Sequence, residues 1–139
     1  VAGKRVILAL TLLCEADSEG IECQRWILWS IHNRKTSGRW KSTEEGCCMQ
    51  RFQYSEFNDD KPDNDNLERV LQMDEDHPRW QSALTLVDTV LQEIASGVPD
   101  PTNGSTHFYA EGITPPGWSG PPAVFRGQQG KVRFYSNVK

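Results

Sequence analysis

Apolar side chains fill almost every position from Val6 to Cys14, so residues 5–15 read as a helix buried on nearly all faces. A polar break follows at Asp17-Ser18-Glu19-Gly20, and a second helix is predicted over Ile21–Arg34. Its inward positions are 23, 26, 27, 30 and 31, with Gln24 and Arg25 facing out. Residues 35–50 carry no period and hold the breakers Gly38 and Gly46, and Asn58–Asn66 is a polar loop. Asn66 is placed to cap a short helix over Leu67–Met73. A longer helix follows, with Pro78 near its first turn and Gly97 just past its last. Along it Trp80, Ala83, Leu84, Val87, Val90, Leu91 and Ile94 recur at three- and four-residue steps, which gives one apolar face. From Pro99 onward the pattern changes to Gly, Pro and short aromatic alternations. Thr106-His107-Phe108-Tyr109 and Lys131-Val132-Arg133-Phe134-Tyr135 are predicted strands. No internal repeat is present, and the expected fold class is α+β: a mainly helical body with a small β element near the C-terminus.

The 139 residues suit a single domain, 1–139, large enough to form a core without a metal or a disulfide. The net charge of −4 is unevenly spread. Residues 1–41 hold seven basic and four acidic side chains, residues 42–80 four and eleven, and residues 81–139 four of each. No basic stripe with interleaved aromatics exists, which excludes a nucleic-acid backbone as the main partner. Lys4-Arg5 before Val6–Cys14 has the form of an export signal. However, Leu13 stands where a lipoprotein cleavage site wants a small residue, and the run is too short to span a bilayer, so a buried helix is preferred. Of the five tryptophans, Trp26, Trp29 and Trp80 are expected in the core, while Trp118 is divided between core and a sugar-stacking role. Cys14, Cys23, Cys47 and Cys48 show neither Cys-x-x-Cys spacing nor a neighbouring His pair, so no metal site is expected and the thiols read as free and partly buried.

Three carboxylates, Glu15, Asp17 and Glu19, lie at the junction of the first helix and its loop. By itself the cluster reads as a solvated helix terminus, though acidic groups at a helix C-terminus oppose the macrodipole, a local cost that points to another reason for their position. A carboxyl that follows Leu12, Leu13 and Cys14 is a candidate for partial desolvation, the condition under which it serves as a general acid near neutral pH. The acidic loop fails as a calcium site: counted from Asp59, the twelfth position of an EF-hand loop is Val70, and counted from Asp63, the fifth is Leu67. His32, His77 and His107 are scattered, and none pairs in sequence with a cysteine as a thiol peptidase would require.

Taken in order, Glu15-Ala16-Asp17-Ser18-Glu19-Gly20, Ile31-His32-Asn33-Arg34, Gln53-Tyr54-Ser55, Asp100–Tyr109, Trp118 and Arg133-Phe134-Tyr135 resemble the cell wall hydrolases of the spore cortex-lytic SleB type, found in bacteria and phages. Both glutamates of that family's Glu-Ala-Arg-Gly-Glu block are matched, with Asp17 and Ser18 in place of Arg and Gly. Tyr54 replaces Phe in the Gln-Phe-Ser block, and Ser105 replaces Ala in the Gly-Ala-Thr-x-Phe block. The resemblance implies a lysozyme-like domain that cuts peptidoglycan glycan strands between N-acetylmuramic acid and N-acetylglucosamine at the bacterial cell wall. The enzyme would be secreted, virion-associated or released at phage lysis.

It also implies that Glu15 is the general acid and that the enzyme is a lytic transglycosylase, which needs one carboxyl and no cofactor. A hydrolytic muramidase is the alternative. It wants a second carboxylate, roughly 5–5.5 Å away for retention or 6.5–9.5 Å for inversion. Glu19, Gln53, Tyr54, Ser55, Thr106, His107, Tyr109 and Trp118 are the expected substrate contacts, with Glu19 the sequence-nearest second carboxylate but better suited to ordering the turn. Phe108, Phe134 and Tyr135 are read first as the core of the β element. The expected partner is the glycan strand alone, with neither nucleic acid nor membrane insertion, bound by a monomer. Two other classes stay open: an amidase or thiol peptidase acting on the stem peptide, and a non-catalytic wall-binding module.

Overall fold

The computed structural model describes residues 3–16, 18–37 and 76–138. In these residues three helices, α1 (Lys4–Ala16), α2 (Ile21–Ser37) and α3 (Pro78–Ala95), precede strands β1 (His107–Ala110), β2 (Val124–Gln129) and β3 (Val132–Ser136). The fold is α+β, as the periodicities predict. Trp40, Cys47, Cys48, Gln53, Tyr54, Ser55, the acidic loop and the helix predicted over 67–73 lie outside the described residues.

The apolar run of α1 is buried from Leu8 through Cys14 and again at Ala16, because α2 and α3 both pack against it. α3 starts at Pro78, with the His77 side chain accepting from the Arg79 amide at 3.1 Å. It ends where Gly97 adopts a positive φ of 78°, a conformation that costs glycine little. The core joins α1, α2 and α3 to Val132 and Phe134 of the sheet. Trp26 and Trp29 belong to it, and each indole N–H is satisfied, Trp26 by Glu22 at 3.2 Å and Trp29 by Glu93 at 3.2 Å. Arg25 binds the same two carboxylates, so it lies across the α2–α3 seam rather than out in solvent as the helical period predicts. Gln24 also turns inward, donating to the Ala16 carbonyl at 2.9 Å and capping α1.

The sheet is antiparallel in the order β1-β3-β2. β2 is the strand that the sequence pattern hides. Its alternation is broken by a bulge between Phe125 and Gly127, and Gly127 has a φ of 151°. A β-carbon at Gly127 would stand 2.9 Å from the Trp26 ring, so only glycine lets the strand lie this close to α2.

The far end of the sheet is fastened to the C-terminal end of α2. Asn33 Nδ2 donates to Asp100 Oδ2 at 2.8 Å and to the Ser105 carbonyl at 2.9 Å, and Arg34 Nε donates to the Thr106 carbonyl. Asp100 in turn accepts from the amides of Thr102 at 2.8 Å and Gly104 at 2.9 Å. Two of the sequence blocks that carry the family resemblance are therefore the two halves of one hydrogen-bonded clamp that presents β1.

Candidate active site

Glu15 stands half-buried in the last turn of α1, one residue before the helix ends at Ala16. The turn after it is closely held. The Ala16 carbonyl accepts from the Glu19 amide at 3.0 Å as well as from Gln24. The Glu19 carboxylate reaches across to the β2–β3 hairpin, where Oε1 accepts from the Lys131 amide at 2.8 Å. Gly130 and Lys131 form the two-residue loop of that hairpin, with Gly130 at a φ of 57°. A β-carbon on Gly130 would come within 2.6 Å of Glu19 Oε1, so the absent side chain leaves room for the carboxylate. Glu19 thus ties two segments 112 residues apart and braces the turn that carries Glu15.

Cys23, one turn into α2, is buried beneath this junction, and burial, reinforced by the charge of Glu19, pushes its thiol up to about 12. A thiol held protonated is a poor nucleophile, so Cys23 is unsuited to peptidase chemistry at neutral pH. Cys14 is likewise free and buried. Native protein treated with iodoacetamide at pH 8 is expected to leave Cys14 and Cys23 unmodified, with both alkylated after denaturation, as read by peptide mass mapping. The raised thiol also sets a direction for stability. The unfolded chain ionises Cys23 near the ordinary value and the folded chain only near 12, so this group's contribution falls as pH rises from about 9 to 12. Rapid native labelling of Cys23 would contradict this account.

The outer face of the sheet carries a second cluster. Alternation places His107 and Tyr109 of β1 on the same side as Arg133 and Tyr135 of β3, while Phe108 and Phe134 face α2. Trp118, in the short 3-10 turn Gly117–Ser119, packs on this outer face, its ring centroid 5.0 Å from His107, 5.8 Å from Tyr109 and 5.6 Å from Tyr135. The Tyr109 and Tyr135 rings stack at 5.7 Å and 13°. Thr106 Oγ1 and His107 Nδ1 lie 2.9 Å apart. Burial disfavours the Tyr135 phenolate, but hydrogen bonds with Tyr109 and Arg133 outweigh it and lower its pKa; Tyr109 is raised, chiefly by the same bond to Tyr135.

The expected contacts therefore divide. Glu15 and Glu19 share the α1–α2 turn, and Thr106, His107, Tyr109 and Trp118 share the outer sheet face. Lys131, where Glu19 is anchored, and Tyr135, at the heart of the aromatic cluster, are four residues apart along the chain, about 13 Å at a strand's rise. The reading of Phe108, Phe134 and Tyr135 as core holds for the two phenylalanines. Tyr135 is buried too, at 7% exposure, but beneath the outer cluster. Phe125, Arg133 and Tyr135 are the outer-face residues that the sequence reading did not assign to a site. The alternation of Arg133-Phe134-Tyr135 held the signal, because adjacent residues of a strand face opposite ways.

A small α+β domain with a braced helix-end glutamate and an aromatic sheet face is the class this geometry defines. The profile of one family, Cell Wall Hydrolase, matches residues 18–135, and the chain belongs to that family. The matched span begins three positions after Glu15 and includes Glu19, the α2–Asp100 clamp and the sheet up to Tyr135. No curated protein and no solved structure matches the chain. Among the described residues no group of His, Cys, Asp or Glu side chains is arranged to hold a metal ion, and no helix is long and apolar enough to cross a membrane.

Proposed function

We propose that this protein acts on peptidoglycan at the bacterial cell wall, cleaving glycan strands between N-acetylmuramic acid and N-acetylglucosamine as a lytic transglycosylase. The observation that carries the reading is the position of Glu15: a half-buried carboxyl at the end of an apolar helix, on a turn locked by Glu19, in a chain of the cell wall hydrolase family. On this reading residues 1–139 act as one catalytic domain, which the core shared by helices and sheet among the described residues supports.

Glu15, protonated, donates its proton to the glycosidic oxygen as that bond breaks and positive charge develops at C1 of the muramic ring. The ring's own C6 hydroxyl then bonds to C1, and its proton passes to the Glu15 carboxylate, which restores the acid and leaves a 1,6-anhydro end. No water is consumed, and one carboxyl completes both steps. Thr106, His107, Tyr109 and Trp118 form one wall of the sugar groove, and Gln53, Tyr54 and Ser55 supply amide and hydroxyl contacts. Glu19 supports the reaction by position, since its Oε1 is engaged with the hairpin.

Mass spectrometry of the soluble digest of purified cell walls tests the reading. A 1,6-anhydro-muramic end, one water lighter than a reducing end, is the expected product. A reducing muramic end would assign a hydrolytic muramidase, and a freed stem peptide an amidase or peptidase. Binding with no new ends would leave a wall-binding module. A pair of variants separates the roles of Glu19. Glu19→Gln keeps an oxygen that accepts from the Lys131 amide and is expected to retain activity within about tenfold, whereas Glu19→Ala loses the tether and falls further. If Glu19→Gln were as inactive as a general-acid variant, roughly 10²–10⁴-fold down, Glu19 would be a second reacting carboxylate.

A further inference from the structure

Among the described residues, the outer sheet face holds an arginine that the proposed chemistry does not use. Arg133 lies half-buried, with its guanidinium carbon 4.5 Å above the centre of the Phe125 ring. Its Nε donates to the Tyr135 hydroxyl at 3.3 Å and its Nη1 to Gln128 Oε1 at 3.2 Å. The Gln128 amide is itself oriented, its Nε2 donating to Glu111 Oε1 at 2.7 Å and to the Gly130 carbonyl at 3.0 Å. Two of the five N–H donors of an arginine are thus engaged, and both meet uncharged acceptors. Among the described residues no carboxylate lies within ion-pair distance of Arg133. Arg25 and Arg5, by contrast, each pair with acidic side chains. A guanidinium held in place by an aromatic ring, a phenol and an amide, with its remaining donors uncommitted, is arranged to take a planar anion. Phe125, 46% exposed, lies under the guanidinium, and both it and the half-buried Trp118 pack on Tyr135, the ring whose hydroxyl Arg133 binds; these rings suit the apolar faces of sugars.

We infer that Arg133 is the specificity residue of the glycan groove, binding a carboxylate carried by the saccharide while the surrounding rings stack on the sugars. This rests on the reading of the outer face as a glycan groove. The carboxylate has two sources in peptidoglycan, the lactyl arm of muramic acid without its peptide and the free carboxylates of the stem peptide. Arg133 therefore distinguishes muramic-containing strands from neutral chito-oligosaccharides, whose rings present the same faces but no charge.

Calorimetric titration of the full chain tests this, in the Glu15→Gln background so that ligand is not consumed. The ligands are a neutral chito-oligosaccharide, a peptide-free muramic-containing oligosaccharide, and peptide-bearing glycan with its carboxylates free or amidated. Arg133→Gln is expected to weaken one or both carboxylate ligands roughly tenfold and leave the neutral one unchanged. Arg133→Lys, which keeps the charge without the fork, should fall between. Loss confined to the peptide-free sugar assigns the lactyl arm. Loss confined to the unamidated peptide assigns the stem. Equal affinities in Arg133→Gln and its parent would overturn the inference while leaving the groove intact, as would equal weakening of charged and neutral ligands. If the parent bound none of the four, the groove itself would fall.

Discussion

Glu15→Gln is expected to fold as the parent does and to release soluble fragments from purified cell walls about 10²–10⁴-fold more slowly. Glutamine has nearly the shape of glutamic acid and keeps its hydrogen-bonding ends, so the half-buried site at the end of α1 loses no packing. What disappears is the transferable proton. In the proposed reaction that proton leaves on the departing sugar and returns from the C6 hydroxyl, so its removal blocks both halves. The measurement is the rate of anhydro-end formation, alongside near-ultraviolet circular dichroism as a control on tertiary packing. Parent-like turnover in a folded variant would exclude Glu15 as the acid and shift attention to Glu19, the other glutamate of the same turn.

The second large effect is structural and lies at Phe134. This side chain is fully buried on the central strand, 5.2 Å from the Trp26 ring and 5.7 Å from Phe108. Phe134→Ala removes the largest buried side chain that the sheet contributes to the helical core, at an expected cost of about 3–5 kcal/mol. Against a typical total of about 5–15 kcal/mol, that loss leaves the domain marginal. Urea unfolding should show the drop as a lower midpoint. Because β3 follows directly on Lys131, whose amide donates to Glu19, and carries Tyr135, which supports the aromatic face, wall cleavage should fail in parallel. A loss under about 1 kcal/mol would mean that the sheet is held chiefly by the Asn33–Asp100 clamp rather than by Phe134.

The two predictions draw on different kinds of information in the chain. Glu15 stands out in the sequence because local rules expose it: an acid ends an apolar helix against the macrodipole and opens a block with a family resemblance. Phe134 is legible in part, since strand alternation assigns it one face and Tyr135 the other, yet the alternation does not say which face meets the helices. Trp26 decides that, and the lack of a side chain at Gly127 lets β2 come close enough to close the contact.

Much else of the site depends on distances along the chain that no local pattern records. Asn33-Arg34 and Asp100–Thr106 are visible as separate short blocks; that they bond to each other, 67 residues apart at Asn33 and Asp100, belongs to the fold. Glu19, four residues after Glu15, is the sequence-nearest second carboxylate and is read as ordering the turn; that it does so by accepting from a backbone amide 112 residues away belongs to the fold. The guanidinium of Arg133 acquires its meaning from Phe125 and Gln128 on the neighbouring strand.

By itself, then, the sequence determined the three helices, the strands β1 and β3, and the acid at the end of the first helix. Each of these follows from the period of buried positions, from end signals such as Pro78 and Gly97, or from residue type. The tertiary structure alone decided the bulged strand β2, the brace from Glu19 to the hairpin, the clamp on Asp100 and the assembly of Trp118, Tyr109, Tyr135 and Arg133 on one face. Short-range periodicity reports which side of an element is buried. Only chain closure in space reports what stands opposite it, and in this protein the partners that hold the glutamate turn and the aromatic face come from opposite ends of the chain.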